Sequence, residues 1–341
     1  MAAYTGIQGQ NILIVSSDPA NPTEGQIWYN KTTNLLKGYA NVVVTAAWAS
    51  GGNYPILGRA YGGAGIQTAG LAFAGFNTPA DARTTATNEY NGTSWTAGGS
   101  MATARQSPGG AGTQTAALGF GGYTEPPPTV FANTEEYDGT SWTAGGSLAT
   151  ARTSLGGCGT QTAGLAFGGS RPAGLPSPVG YTNTEEYDGT SWTSNPTGLP
   201  TARRNMGSAG TQTDALSFGG AQYPAPATLI ATTDSYNGST WTAGGNMNTA
   251  RQGLGGAGAS STAAVGFGGT TPSYTAATEV YNGSTWTNST SMSNTRAGFG
   301  ALGTQPLALA VGGYTGTADT TASEEWTGPS VSLQTRTITT S

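Results

Sequence analysis

Glu136–Arg152 reads EYDGTSWTAGGSLATAR. Near copies lie at Glu89–Arg105 (EYNGTSWTAGGSMATAR) and Glu186–Arg203 (EYDGTSWTSNPTGLPTAR). Outward from these copies, Trp48, Trp95, Trp142, Trp192, Trp241 and Trp286 are 47, 47, 50, 49 and 45 residues apart. A short apolar run ending in a diglycine recurs between them, at Gly121-Gly122, Gly168-Gly169, Gly219-Gly220, Gly268-Gly269 and Gly312-Gly313, with Ala74-Gly75 as a degenerate first member. The third mark is an arginine about ten residues after each Trp: Arg59, Arg105, Arg152, Arg203, Arg251 and Arg296. A fixed period of this length marks a repeat whose units must stack to bury a core.

Each unit reads as two hairpins, so four strands. GGAGTQTAALGFGG (Gly109–Gly122) offers two short extended runs around TQT. After a variable, Pro-containing loop, TEEYDGTSWTAGG (Thr134–Gly146) offers two more around Asp138-Gly139. The same turn is Asn91-Gly92, Asp188-Gly189, Asn237-Gly238 and Asn282-Gly283; a tight primed turn needs positive φ, which Asp, Asn and Gly tolerate best. Gly, Thr and Ser saturate the units and no 3.6-residue apolar stripe runs through them, which argues against helix. A lone sheet of this kind cannot bury both faces. Radial stacking about an axis does so and leaves few edges, which is a β-propeller. Six arginine-to-diglycine halves followed by six outer halves, the last being SEEWTGPSVSLQT (Ser323–Thr335), predict six blades over residues 51–341. The sixth is completed either by its own C-terminal residues or by a strand near Val42–Trp48.

Composition narrows the function classes. The 341 residues carry 12 Lys+Arg against 17 Asp+Glu, a net charge of -5, with no basic cluster to suggest a nucleic-acid footprint. Gly reaches 56, yet eight Trp, fifteen Tyr and eight Phe at regular places favour a packed core over disorder. Zero His removes Ser–His catalysis and His-ligated copper, and a single cysteine, Cys158, leaves no zinc set and reads as a small buried residue. No cofactor or metal is expected. The N-terminus shows no secretory signal, and no run approaches the about 20 apolar residues of a membrane span.

The string Met101-Ala-Thr-Ala-Arg105, Gly110-Ala-Gly, Leu118-Gly-Phe-Gly-Gly122, Glu136-Tyr137 and Trp142 resembles the kelch repeat, from about Gly51 to Arg336. The resemblance implies an all-β, six-bladed kelch-like propeller. Residues 1–50 read as a separate small β module: a strand, a turn at Asn30–Asn34 and further strands. Gly25, Ile27, Trp28, Tyr29, Asn30, Thr33 and Asn34 resemble a module near the N-termini of bacteriophage tail-fibre and other virion proteins. That likeness implies attachment to a particle through Ile27, Trp28 and Tyr29, in multiple copies, on a virion assembled in the host cytoplasm.

Two readings of the arginine series stay open. Related by rotation, the six could form a cationic ring at the channel mouth for a carboxylate or an acidic sugar. Alternatively each ties its own blade together, paired with the acid before each Tyr (Glu89, Glu136, Glu186 and Glu279, with Asp234 displaced). DGTSW resembles the sialidase Asp-box but lacks the residue between Asp and Gly, and the Asp/Asn interchange suits a turn better. Specificity belongs in the uncopied loops between strands two and three, where Phe131, Arg171, Tyr181, Tyr223 and Leu229 form a candidate rim. The expected function is a non-enzymatic phage structural protein, attached through residues 1–50, whose propeller contacts another protein or a host-surface glycan. The alternatives are a carbohydrate-binding or glycan-cleaving propeller and a bacterial kelch-type protein-binding module.

Overall fold

The computed structural model describes residues 12–171, 179–222 and 228–338, and these form strands and turns without a helix. The chain divides into two compact units, Ala47–Gly328 and a second made of Met1–Ala46 with Pro329–Ser341.

The larger unit is a six-bladed β-propeller. Blade two shows the pattern: Gly109–Thr113 pairs with Ala116–Phe120, which pairs with Thr134–Tyr137, which pairs with Trp142–Gly145, all antiparallel. The six innermost strands begin at Gly62, Gly109, Gly156, Gly207, Gly255 and Gly300, and the last packs against the first to close the circle. They are small-residue strands because the blades meet there. A Cβ added at Gly110 would lie 2.4 Å from the carbonyl oxygen of Gly63 on the blade before it.

Blade six is completed by Ala47–Ser50, which pairs with Ser323–Thr327 and sets Trp48 opposite Trp326. Of the expected closing segment Val42–Trp48, only its end closes the ring. Val42 lies in Leu35–Val44, which pairs along its length with Ser330–Thr337 in the other unit. The expected boundary at residue 50 therefore shifts, and the supposed outer half of blade six splits after Thr327. Alternation within Ser323–Thr335 could not reveal this, because the tail's partner lies almost 300 positions away in sequence.

The copied residues bind each blade to the one before it. Indole Nε1 of Trp142, Trp192, Trp241 and Trp286 donates to the hydroxyl of Thr87, Thr134, Thr184 and Thr233 at 2.8–2.9 Å. Trp48 reaches Thr278, and Trp95 closes the circle on Ser323 of blade six. The same indoles meet Phe73, Phe120, Phe167 and Phe218 at ring centroids 4.7–5.0 Å apart, each pair contributing about 0.5–1.5 kcal/mol beyond area burial. Gln114 of the TQT turn donates to the carbonyls of Gly70 and Tyr90, and Gln161, Gln212, Gln305 and Gln67 repeat this. Tyr137 Oη donates to Glu89 Oε1 at 2.7 Å, and Tyr187 and Tyr236 do the same to Glu136 and Glu186. Burial and that glutamate push the Tyr137 phenol up to about 12.

In the DG/NG turns only the glycine takes positive φ, +91° at Gly139. Asp138 acts instead through its side chain, whose Oδ1 accepts from the N–H of Thr140 and Ser141 at 2.8 and 2.7 Å. Asn91, Asn237 and Asn282 present the same oxygen, which explains the interchange.

The second unit is a four-stranded sheet in the order Leu13–Val15, Ile27–Asn30, Leu35–Val44, Ser330–Thr337, with the first pair parallel. Trp28 is fully buried and its Nε1 donates to Asp18 Oδ1 at 2.9 Å. Asn30 Nδ2 and Lys37 Nζ reach the same carboxylate at 2.8 and 2.6 Å. Lys37 above all, then Asn30 and Trp28, hold the Asp18 carboxyl down at about 2.

Candidate functional site

Five of the six arginines are fully buried: Arg105, Arg152, Arg203, Arg251 and Arg296. They line no channel. Arg152 Nη1 donates to the carbonyls of Gly168 and Asn183, at 3.0 and 2.7 Å, and Nη2 donates to Glu185 Oε1 at 3.0 Å. The other carboxylate oxygen of Glu185 accepts from the N–H of Ala149, so one guanidinium and one carboxylate pin the incoming linker and the diglycine turn to the blade. Glu135, Asp234, Glu279 and Glu324 serve the other four. The cationic ring is thus overturned in favour of the blade tie, with one correction to the partners. The first acid of each Glu-Glu pair holds the arginine and the second takes the neighbouring tyrosine, because adjacent strand residues face opposite ways. Burial pushes Arg152 down to about 10, opposed by Glu185, so it stays charged at neutral pH.

Arg59 is different. Gly58, not Arg59, carries the carbonyl that accepts from Gly313, as the carbonyl of Arg152 accepts from Gly122. Arg59 pairs with Phe76 across the sheet, the place that Arg204 holds opposite Ala221 in blade four. It is one residue out of phase with the other five. In blade one Asn88 stands where the acid should be, and Tyr54 fills the space. Asn88 Nδ2 donates to Tyr54 Oη at 3.1 Å.

The channel mouth belongs to other residues. Ala60, Ser107, Ser154, Asn205, Gly253 and Gly298 all take left-handed φ, between 50° and 63°. Each donates its N–H to the carbonyl of the one before: Ser107 to Ala60, Ser154 to Ser107, Asn205 to Ser154, Gly253 to Asn205, Gly298 to Gly253 and Ala60 to Gly298. Six backbone hydrogen bonds of 2.5–3.0 Å thus form a closed circle over a recess of about 160 Å³.

In an antiparallel meander the linkers into each blade and the strand-two-to-three loops leave by the same face. The four remaining propeller arginines, Arg59, Arg83, Arg171 and Arg204, all lie in such linkers or loops. The opposite face carries Asp138 and Asp188 in its hairpins. On the linker face, Arg171 and Tyr181 line a cleft of about 420 Å³ with Pro128 and Val130, which brings two of the expected rim residues together. Phe131 is half-buried, with the Arg105 guanidinium 5.2 Å from its ring, so it packs on a blade tie. Leu229 is half-buried in a bridge with Ala221, and Tyr223 lies outside the described residues. A second cleft, of about 490 Å³, is lined by Arg59, Asn205, Gln252, Thr270, Tyr274 and Tyr314. The expected rim contained none of these: Arg59 was expected at the channel mouth, and the other five lie in linkers and in the short loops of blades five and six.

Cys158 is buried against the carbonyl of Thr211, and burial pushes its thiol up, as a packing residue requires. In the smaller unit Trp28 is core and offers no contact surface, which corrects its expected part in attachment; Ile27 and Tyr29 are half-buried.

No family model matches the chain, and no curated protein matches it. Among solved structures it is similar to one described as "Structure of YjhT", with a TM-score of 0.64 and 14% identity over 83% of this chain and 99% of that one. At that identity the likeness bears on the fold alone.

Proposed function

We propose that this chain is a non-enzymatic structural protein of a tailed bacteriophage particle, attached through the smaller β unit and presenting the linker face of its propeller to a protein or a host-surface glycan. One observation carries the reading. The repeated Trp, Tyr, Gln, Arg and Glu side chains are consumed in holding blades together, whereas the propeller's remaining arginines and its unrepeated loops gather on one face. Such a division suits a scaffold that displays loops. The smaller unit exposes Ile14, Val43 and Val331 at 69%, 69% and 63%, apolar surface that suits attachment. The test is to band particles on a density gradient and probe them for the chain. It should co-migrate with intact virions; recovery only as free protein in the lysate would overturn the reading.

The two clefts favour a second reading, a carbohydrate-binding or glycan-cleaving propeller, because both fall in the size range of small-molecule sites. Two acids of the face, Glu125 and Asp319, are held by Arg83 and Arg59, which supports binding over cleavage.

A further inference from the structure

We infer that the cleft between Arg59, Tyr274 and Tyr314 is a binding site for a neutral sugar ring. This deepens the display reading by naming a ligand class for one cleft of that face.

A pyranose has an apolar C–H face and a belt of hydroxyls that each donate and accept. Its recognition calls for aromatic rings beside planar polar side chains that are already oriented. The cleft supplies both. Tyr274 and Tyr314 meet edge to face, with centroids 5.4 Å apart and planes at 67°, so they present two walls at a steep angle. Gly316 backs the Tyr274 ring so closely that an added Cβ would fall 2.8 Å from it, which fixes that wall. Asn205 Nδ2 donates to Gln252 Oε1 at 3.5 Å. That bond leaves the pair a carboxamide oxygen and an amide nitrogen able to face a hydroxyl.

Arg59 sets the preference for a neutral ligand. Its guanidinium lies 5.1 Å from the Phe76 ring and 5.4 Å from the Tyr314 ring. Nη1 donates to both oxygens of Asp319 at 3.1 and 3.0 Å, yet the side chain stays 42% exposed, against 2% for Asp319. Asp319 therefore balances the charge while the aromatic rings hold the plane. What Arg59 offers a ligand is a set of aimed N–H donors with little net field, which suits hydroxyls better than a carboxylate. The residues in the matching linker position elsewhere are Gln106, Thr153, Arg204, Gln252 and Ala297; the other arginine among them, Arg204, stands opposite Ala221 where Arg59 stands opposite the aromatic Phe76, so the repeat does not copy this arrangement.

The experiment uses the full chain. Neutral methyl glycosides of glucose, galactose, mannose and N-acetylglucosamine, with glucuronic acid and N-acetylneuraminic acid as acidic probes, are screened by saturation-transfer NMR and titrated by calorimetry. At least one neutral glycoside should bind, with affinity falling about tenfold or more in Arg59→Met, Gln252→Ala and Tyr314→Leu. Asp188→Asn, in a hairpin of the opposite face where three other copies already carry Asn, should leave it unchanged, and unfolding midpoints measured alongside identify any variant that fails to fold. Binding of acidic probes alone, binding that survives Arg59→Met combined with Gln252→Ala, or no sugar binding at all would each overturn the inference. The display reading has its own separate test in the purified particles.

Discussion

Blade one and blades two to six hold their incoming linkers with different chemistry. In the five later blades a buried arginine and a buried acid do it, as Arg152 and Glu185 do in blade three. In blade one Gly58, Asn88 and Tyr54 occupy the equivalent places, and a neutral amide–phenol hydrogen bond replaces the ion pair. The two partners changed together. Desolvating two charges costs about what their attraction returns, so a whole pair is replaceable while half a pair is not. Burial pushes Arg203 down and Asp234 up, both against the charged forms, as expected of a pair held by geometry rather than by a large net gain.

That contrast can be broken from several sides. The largest effect should come from Glu185→Ala, which strands the Arg152 guanidinium and removes the acceptor for the Ala149 N–H. It should cost about 3–5 kcal/mol in urea unfolding. A triple variant carrying Leu148→Tyr, Arg152→Gly and Glu185→Asn transplants the blade-one solution. It should be more stable than Arg152→Gly alone by about 1–2 kcal/mol, and the absence of any recovery would mean that blade one depends on more than these three residues.

Smaller effects sharpen the comparison at exposed sites. Asp18 in the smaller unit is a carboxylate whose folded pKa is depressed to about 2 from 3.8. Its contribution is therefore complete above about pH 4 and is lost as pH falls through about 2. The Trp28 indole N–H resonance, reporting the bond to Asp18, should hold its position down to about pH 4 and move below it, and in Asp18→Asn that titration should vanish. Least of all, Ser154→Gly in the closed circle relieves a left-handed φ of 56° at some cost in chain entropy, so it should stabilise by no more than about 1 kcal/mol in thermal unfolding.

The propeller was legible because its signals are local and repeated. The Trp spacing, the diglycines and the Asp/Asn-Gly turns each survive reading one copy at a time, and repetition removes the ambiguity of any single one. What escaped was phase and distance. Arg59 follows Trp48 at the usual interval, but the linker that follows it is one residue shorter before the first strand, so the side chain leaves the blade core for the surface. A one-residue slip reverses which way a strand residue points. The choice between Glu135 and Glu136 as partner to Arg105 turns on the same alternation. The pairing of Val44 with Ser330 joins the two ends of the chain, and no local pattern encodes it. The second cleft was hidden because Asn205, Gln252, Tyr274 and Tyr314 come from the consecutive blades four to six, and Arg59 of blade one joins them only by closure of the ring.

The copied arginines are scaffold and the one that slipped is not. Parallel urea unfolding of Arg152→Ala and Arg59→Ala tests it most directly. Loss of about 3–5 kcal/mol for the first and about 1 kcal/mol for the second is the predicted result. Equal losses in the two variants would place Arg59 in the scaffold and contradict the account.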